Sequence, residues 1–233
     1  METAYFSFAE VFPGTAEYEL YQQLRYEVFV EELHRIDASE EERSRQVEYD
    51  DFDDISRHIL ASHKETGRAA ACVRLILPKR DFLSIETRYE IDRAQIDPIG
   101  HDHVAEISRM AISHMYRRRQ EDQGKPPEGD PSREISEKSE ASGNRTRSPE
   151  LVLGMYREIF AIANEIDIHC AMAAMEPLFF RLLKQIGLPF RPVGELNRNV
   201  EPPRRPYIIC SNELEKDLGE RHPDILDFMR CRN

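Results

Sequence analysis

The chain has 233 residues, enough for one large domain or two small ones. It carries 32 basic and 44 acidic residues, and the formal net charge of -12 disfavours nucleic acid as a partner, because phosphate binding needs a cationic surface. No apolar run approaches the about 20 residues of a membrane helix, and the amino terminus lacks the basic start of a signal peptide. We therefore expect a cytoplasmic protein without a transmembrane segment.

Cysteine and histidine spacing gives no sign of metal binding. Cys72, Cys170, Cys210 and Cys231 are far apart and form no CxxC motif, which predicts reduced, mostly buried thiols. The histidines also lack the spacing of metal ligands, so no metal site is expected. They are His34, His58, His63, His101, His103, His114, His169 and His222.

The amino-terminal half alternates between helical and strand patterns. Apolar residues recur at helical spacing over 15–33, which predicts an amphipathic helix, whereas the Glu, Arg and Ser of 34–48 indicate a mobile, solvated loop. Two apolar runs, 59–61 and 68–77, flank a turn-forming segment and predict a β-hairpin. A further strand is predicted over 104–112.

The carboxy-terminal half begins with a polar stretch that we interpret as a disordered insertion over about 121–148 within one domain, 1–233. A helix starting near Ser148-Pro149, a strand over 168–174, a helix ended by Gly187 and a strand near 207–210 follow, before a polar terminal helix. This order predicts a mixed α/β (α+β) layer structure.

Several charged residues lie inside apolar runs, where a buried charge costs several kcal/mol unless an opposite charge meets it. The acidic segment 48–54 offers counter-charges. We predict a cluster of three arginines and three carboxylates whose charges sum to zero. Its members are Arg25, Arg74, Arg109, Asp50, Asp53 and Glu106.

Four separated motifs carry a family resemblance. They are Leu24-Arg-Tyr-Glu-Val-Phe-Val-Glu-Glu32, Glu48-x-Asp50-x-Phe52-Asp53, Val73-Arg74-Leu75 and Glu106-Ile-Ser-Arg109. Together they resemble the acyl-homoserine-lactone (autoinducer) synthases. With the polar insertion after Arg119 and the Met175-Glu-Pro-Leu178 start of the late helix, the pattern is still more similar to the N-acyl amino acid synthases associated with the PEP-CTERM/exosortase system. Both groups belong to the GNAT superfamily of N-acyltransferases.

The resemblance implies a GNAT-like fold, with a mixed twisted sheet flanked by helices and two central strands that splay apart to admit a pantetheine arm. It implies transfer of a fatty acyl group from an acyl carrier protein thioester, or from acyl-coenzyme A, to a small amine, without a permanently bound cofactor. Matched by position, the implied active-site and substrate-organising residues are Arg25, Phe29, Asp50, Asp53, Arg74, Glu106 and Arg109.

The chemistry of thioester aminolysis assigns roles to these residues. Glu106 is the candidate general base, with Arg74 and Arg109 beside it, and backbone N–H groups of Met110 and Ala111 are the candidate oxyanion donors. In a regular strand Glu106 and Arg109 would point to opposite faces. We therefore predict a β-bulge between Glu106 and Met110.

Substrate binding is assigned to the first helix and the acidic segment. Arg25 and Phe29 share a helix face, so Phe29 walls a pocket while Arg25 pairs with Asp50 or Asp53. Those aspartates are candidates for holding the ammonium of the amine. Arg74 either belongs to the ion-pair cluster or binds a substrate carboxylate.

A basic run is the candidate docking surface for an acidic carrier protein, the alternative being an ordinary solvated face. Its residues are Arg117, Arg118 and Arg119, with Arg181 and Lys184 from a later helix.

Three other functions compete with fatty acyl transfer to an amino acid. A homoserine-lactone synthase would use S-adenosylmethionine, but its family carries a tryptophan near His34-Arg35 and this chain has none. An ordinary coenzyme A acetyltransferase needs an Arg-x-x-Gly-x-Gly/Ala turn, which 117–124 lacks. A non-catalytic module that binds a carrier protein or a lipid has no evident need for Glu106.

Overall fold

The computed structural model describes residues 5–116 and 147–231. The predicted insertion therefore lies outside the described residues, apart from 147 and 148, which begin a helix. Arg117, Arg118 and Arg119 also lie outside the described residues.

Seven strands of the described residues form one mixed sheet in the order β1-β2-β3-β4-β5-β7-β6. They are β1 Phe6–Val11, β2 Ser56–His63, β3 Ala69–Ile76, β4 Val104–Ile112, β5 Cys170–Met175, β6 Arg191–Pro192 and β7 Arg205–Cys210. Only the central β4–β5 pair is parallel, and the other neighbours are antiparallel. The predicted hairpin is confirmed as β2 and β3, whereas β1 and the short β6 were not predicted.

Helices cover both faces of the sheet, which confirms the mixed α/β prediction. They are α1 Ala16–Arg25, a π-helix Tyr26–Glu32, α2 Glu40–Arg45, α3 Arg93–Ile96, α4 Arg147–Glu165, α5 Pro177–Gln185, α6 Ser211–Arg221 and α7 Pro223–Arg230. Within the described ranges, no helix has the length and apolarity needed to cross a membrane.

The sheet has a front face covered by α1 and a back face covered by α4. On the front, Leu60, Cys72 and Ala111 pack against Tyr21 and Leu24 of α1. The back carries the larger core, a continuous apolar cluster beneath α4 and the carboxy-terminal helices. Because side chains alternate along a strand, Arg74 and Glu106 share the front face, while Val73 and Ala105 face the back.

The two central strands part in the middle of the sheet. The β4–β5 ladder contains only the pairs Val104–Cys170, Ala105–Ala171 and Glu106–Met172. Beyond Glu106, β4 continues to Ile112 along β3, and β5 continues along β7. The splay that the resemblance implied is therefore confirmed, and Glu106 lies where it begins.

The predicted β-bulge is also present. Arg74 pairs with Ser108 and Cys72 with Ala111, so Val73 alone faces two residues of β4, Arg109 and Met110. Arg109 has a φ of 50°, in the left-handed region that non-glycine residues rarely adopt. The extra residue turns the Arg109 side chain to the face that carries Glu106.

Of two predictions about the amino-terminal third, the helix is confirmed and the loop was wrong. The helix predicted over 15–33 is α-helical to Arg25 and then widens into the π-helix, a form found mostly as local insertions at functional sites. The predicted loop over 34–48 contains α2. A reciprocal capping box between Ser39 and Glu42 starts this helix, because each residue satisfies a backbone N–H of the other.

The prediction of four reduced thiols was wrong for two of them. Cys170 and Cys210 form a disulfide, whereas Cys72 and Cys231 are free. The β5–β7 register places Cys170 directly opposite Cys210, with their Cα atoms 4.1 Å apart. A separation of 40 residues along the chain gives no sign of this pairing.

Candidate active site

Three arginines and three carboxylates on the front face form a closed ring in which opposite charges alternate. Arg25 binds Glu48 and Asp53, Arg74 binds Asp53 and Asp50, and Arg109 binds Asp50 and Glu48. The six N–O distances lie between 2.5 and 3.0 Å. We call this set the ionic ring.

The ionic ring brings together five of the six residues predicted for the charge cluster and corrects the sixth. Its third carboxylate is Glu48, not Glu106. Glu48 follows Val47, which is fully buried, and its backbone N–H donates to the carbonyl of Gln22 in α1. This contact ties the acidic segment to the helix that carries Arg25.

Burial in the ionic ring is uneven. Arg25, Glu48 and Arg74 are at most 1% exposed, whereas Arg109 is 20% and Asp50 is 27% exposed. Only the Arg109–Asp50 edge therefore meets solvent. Burial alone would raise the pKa of Asp53, but Arg25 and Arg74 outweigh it and hold that pKa well below its usual range. The ring carries no net charge when all six groups are ionised.

Arg74 has little left to offer a substrate. Its Nε donates to Ser108 Oγ at 3.0 Å, and both of its Nη groups donate to Asp50 or Asp53. This geometry favours the ion-pair role predicted for Arg74 over the binding of a substrate carboxylate. Its effect on a substrate would be to fix the position of Asp50.

Glu106 lies on the same face but outside the ionic ring. It is 7% exposed, and its Oε2 accepts a hydrogen bond from the backbone N–H of Ile85 at 2.7 Å. Within 5–116 and 147–231 it forms no ion pair. Burial raises the pKa of Glu106 to about 7, against the opposing effects of the Ile85 N–H, Arg74 and Arg109. A carboxyl group with this pKa can accept or release a proton near neutral pH.

The π-helix places an aromatic side chain beside Arg109. Phe29 lies with its ring 5.8 Å from the guanidinium carbon of Arg109. The backbone N–H groups of Arg35 and Ile36 both donate to the Phe29 carbonyl, which fixes the chain as it leaves this helix. The predicted wall of the pocket is thus next to the exposed edge of the ionic ring.

Of the candidate oxyanion donors, Met110 lies in the β-bulge and Ala111 directly follows it. Met110 and Ala111 follow Arg109 on the part of β4 that has parted from β5. Among the described residues, no strand pairs with the β5-facing edge of β4 beyond Glu106, so backbone N–H groups on that edge are open to a ligand. This is the position that a thioester carbonyl would take if its acyl group entered the splay.

The opposite side of the splay carries polar residues that sequence reasoning missed. Arg35 forms an ion pair with Glu176 at 2.9 Å, and the half-buried Arg204 follows Pro203 just before β7. Tyr89, 9% exposed, is within electrostatic reach of both Arg204 and Glu106. These residues lie at the ends of elements, where no apolar run draws attention to a charge.

Two of the predicted docking residues are described, and both are exposed. Arg181 and Lys184 lie on α5, the helix that follows the parted end of β5. Leu178 of the same helix is 75% exposed and Leu182 is 36% exposed. Phe179 and Phe180 instead pack on the back core, where Phe180 stacks on Tyr207 with ring centroids 4.3 Å apart.

Two groups of side chains in the described residues bring possible metal ligands within 4.8 Å of one another. They are His103 with Asp167 and His169, and Glu27 with Glu32 and His114. Both groups are solvent-accessible, and each acidic residue already binds a histidine of its group. Sequence spacing did not reveal either group, and neither adjoins Glu106 by a hydrogen bond or an ion pair.

Comparison with known proteins supports a GNAT-like fold. Residues 24–124, less than half of the chain, match the family described as an acetyltransferase (GNAT) domain. No match was found among curated protein sequences.

Three solved structures cover most of the chain. TofI, in a ternary complex with an inhibitor and MTA, is 18% identical, with a TM-score of 0.61 over 95% of this chain and 96% of its own. FeeM, an N-acyl amino acid synthase from uncultured soil microbes, is 13% identical, with a TM-score of 0.60 over 92% and 96%. BjaI, a CoA-dependent acyl-homoserine lactone synthase with SAM and isopentyl-CoA, is 18% identical, with a TM-score of 0.56 over 91% and 79%.

Proposed function

We propose that this protein is an N-acyltransferase that transfers a fatty acyl group from a phosphopantetheine thioester to the amine of an amino acid or a similar small molecule. The observation that carries the proposal is Glu106, a buried carboxylate with a pKa of about 7 at the point where β4 and β5 part. The match to an acetyltransferase family and the fold shared with FeeM and BjaI support it.

The reaction needs a base, an acyl carbonyl held in place and a leaving thiol. The amine nitrogen attacks the thioester carbonyl carbon, so that a C–N bond forms and the C–S bond breaks. Glu106 takes the proton that the nitrogen loses, directly or through one water. The protonated Glu106, or water, then gives a proton to the departing sulfur, which leaves as the pantetheine thiol. Backbone N–H groups near Met110 and Ala111 stabilise the negative charge on the carbonyl oxygen.

The ionic ring serves this site by holding its front wall. Arg74 and Arg109 fix Asp50, and Arg109 also lies beside Phe29. We assign Arg25, Arg74 and Asp53 to positioning, because they are buried among their partners. Asp50, Arg109 and Phe29 form the accessible edge, where the amine substrate would lie.

The proposed donor is an acyl carrier protein, with acyl-coenzyme A as the alternative. Arg181 and Lys184 present positive charge on a chain of net charge -12, next to the exposed Leu178 and Leu182. A carrier protein is acidic and would be attracted to this part of α5. Both donors belong to the cytoplasm, which we propose as the location. Reduced thiols no longer support a cytoplasmic location, because Cys170 and Cys210 form a disulfide. The association with the PEP-CTERM/exosortase system stays a prediction.

The test is a product search with purified protein. It is incubated with acyl carrier protein thioesters and acyl-coenzyme A of several chain lengths, amino acids and S-adenosylmethionine, and new amides and free thiol are measured by mass spectrometry and a thiol reagent. An N-acyl amino acid formed together with free thiol supports the proposal. Methylthioadenosine as a product identifies a homoserine-lactone synthase instead. If no amide forms from any donor, the remaining hypothesis is a non-catalytic binding module.

A further inference from the structure

The register of β5 and β7 places two opposite charges across the end of the splay. Met175 pairs with Arg205 at the end of the ladder. Glu176 follows Met175 and Arg204 precedes Arg205, so Glu176 and Arg204 face each other just beyond the ladder. Side chains alternate along both strands, which puts Arg204 and Glu176 on the front face with Glu106, and Arg205 on the back. The front rim of the splay therefore has a cationic group on the side opposite Glu106.

Glu176 does not neutralise this rim. It already binds Arg35, which reaches it from the segment after the π-helix at 2.9 Å. Among residues 5–116 and 147–231, Arg204 forms no ion pair of its own. Arg204 shares a side-chain hydrogen bond with Tyr89. Burial, Arg35 and Arg88 lower the pKa of Arg204, against the opposing effects of Tyr89 and Glu176. An excess of positive charge, half-buried beside a single carboxylate, is a site that an anion would stabilise.

Backbone contacts hold Arg204 next to the crevice that contains Glu106. Asn197 pairs with Arg204 through two backbone hydrogen bonds, and its side chain donates to the carbonyl of Arg88 at 2.9 Å. The neighbouring Tyr89 donates its N–H to Ile85, whose own N–H holds Glu106. Arg204 and Glu106 are thus joined through one short segment, 85–89.

Taking the proposed acyl transfer as its basis, we propose that Arg204, with Arg35 beside it, binds the carboxylate of the acceptor, which makes the acceptor class amino carboxylates such as α-amino acids. A guanidinium binds a carboxylate through two parallel N–H···O bonds. Four residues along β7 and two strand spacings separate Arg204 from Glu106, about 13 Å by about 10 Å between Cα atoms. A long arginine side chain and the acceptor span that distance, with the amine directed at Glu106.

The test compares the Arg204→Met variant with Arg205→Met. Arg205 is a matched control, because it is the adjacent arginine and points to the opposite face, where it binds the exposed Glu195. The probes are N-acylglycines with octanoyl, dodecanoyl and hexadecanoyl chains and the corresponding N-acylglycinamides, which lack the carboxylate. Binding is measured by calorimetry on the full chain, with circular dichroism to verify folding.

We expect the wild-type protein to prefer the acid, and R204M to lose roughly tenfold or more of its affinity for the acid with little change for the amide. R205M should bind both as the wild type does. A wild-type protein without a preference for the acid, including one that binds neither probe, overturns the inference. So does an R204M variant that weakens acid and amide equally.

Turnover separates this inference from the proposed function. Amide formation in which R204M raises the Michaelis constants for glycine and glycinamide alike would leave acyl transfer standing and remove the carboxylate site. A preference for the acid in binding, lost in R204M, without any turnover would keep the site and remove acyl transfer. A raised Michaelis constant for acyl-coenzyme A alone would assign Arg204 to a donor phosphate and overturn the inference.

Discussion

Two sets of buried ionisable groups share the front face of the sheet: the ionic ring, whose charges are paired, and Glu106, whose carboxyl group has no ion-pair partner among the described residues. In the ionic ring every arginine meets two carboxylates, and every carboxylate meets two arginines. Glu106, on β4, accepts a hydrogen bond from the backbone N–H of Ile85 and forms no ion pair among the described residues. Burial is similar, since Asp53 and Glu106 are both 7% exposed.

The carboxyl groups of Asp53 and Glu106 differ in the direction of their pKa shift. Asp53 has its pKa depressed by Arg25 and Arg74, which overcome burial, so it stays charged at any ordinary pH. Glu106 has its pKa raised by burial to about 7, so it changes charge near neutral pH. Charges that are matched by counter-charges hold a structure, whereas a buried carboxylate without one is available for proton transfer.

Removing the base should have the largest effect on catalysis. The Glu106→Gln variant keeps the size of the side chain and an oxygen for the Ile85 N–H, but it cannot take a proton. We expect the turnover rate to fall by about 10² to 10⁴ with little change in either Michaelis constant. Steady-state kinetics of thiol release measure this.

The same variant has a stability signature that separates it from simple damage. The pKa of Glu106 is higher folded than unfolded, so the wild type loses stability as pH rises from about 4.5 to about 7. The amide that replaces the carboxyl group does not titrate, and E106Q should be more stable than the wild type by about 1–3 kcal/mol above pH 7 and similar to it below pH 4.5. An E106Q protein that is less stable across this range would contradict the burial cost assigned to Glu106.

Breaking the ionic ring should cost stability instead. Arg74→Met leaves Asp50 and Asp53 with one arginine each and a net negative charge in a buried site. We expect a loss of about 3–5 kcal/mol in the free energy of unfolding, a large share of the total for most domains. Urea denaturation followed by circular dichroism gives the value.

The double variant R74M/D53N tests whether charge balance is the cause. It restores neutrality, so it should recover part of the stability that R74M loses, and the two substitutions should not be additive. A double variant that is less stable than R74M by the full cost of D53N alone would show that packing, rather than charge, sets the loss.

The sequence was informative where a charge interrupts an apolar run. Arg25, Arg74 and Arg109 stand out for that reason. Glu106 and Arg109 are three residues apart and can share a face of the strand only through a bulge, which the structure contains. Which carboxylates meet the arginines could not be predicted in full, because the segment 48–54 offers several within a few residues. Glu48 is the third carboxylate of the ionic ring because its backbone N–H is hydrogen-bonded to Gln22 of α1, the helix that carries Arg25.

The rest depends on pairing between distant segments. Arg35, Glu176 and Arg204 come from three parts of the chain and meet only because β5 and β7 have one particular register. The same register creates the Cys170–Cys210 disulfide. β1 was missed because it lies at the edge of the sheet, paired only with β2 among the described strands. The proposed docking run at 117–119 lies outside the described residues, so it stays a prediction.

The pH dependence of turnover sharpens the assignment of Glu106. The base must be deprotonated to act, so the rate should fall about tenfold for each pH unit below about 7. E106Q should lose this inflection near pH 7. A wild-type profile that is flat between about 5 and about 8, with chemistry shown to be rate-limiting, would remove Glu106 as the base.

Charge reversal on α5 should have a smaller and more selective effect. The Arg181→Glu/Lys184→Glu variant should raise the Michaelis constant for an acyl carrier protein roughly tenfold at low salt, and less at high salt. The constant for acyl-coenzyme A should not change, because that donor has no protein surface to dock. Equal effects on both donors would contradict a docking role and indicate damage to the site.

The smallest effect is expected where an arginine pairs in solvent. Arg45 and Glu41 lie one turn apart on α2 at 3.6 Å, and their side chains are 54% and 65% exposed. Arg45→Met removes the same group as Arg74→Met, yet its unfolding free energy should change by less than about 0.5 kcal/mol, because water screens the pair and replaces it. Urea denaturation under the same conditions measures both. A loss for Arg45→Met comparable with that for Arg74→Met would mean that burial is not what makes the ionic ring matter.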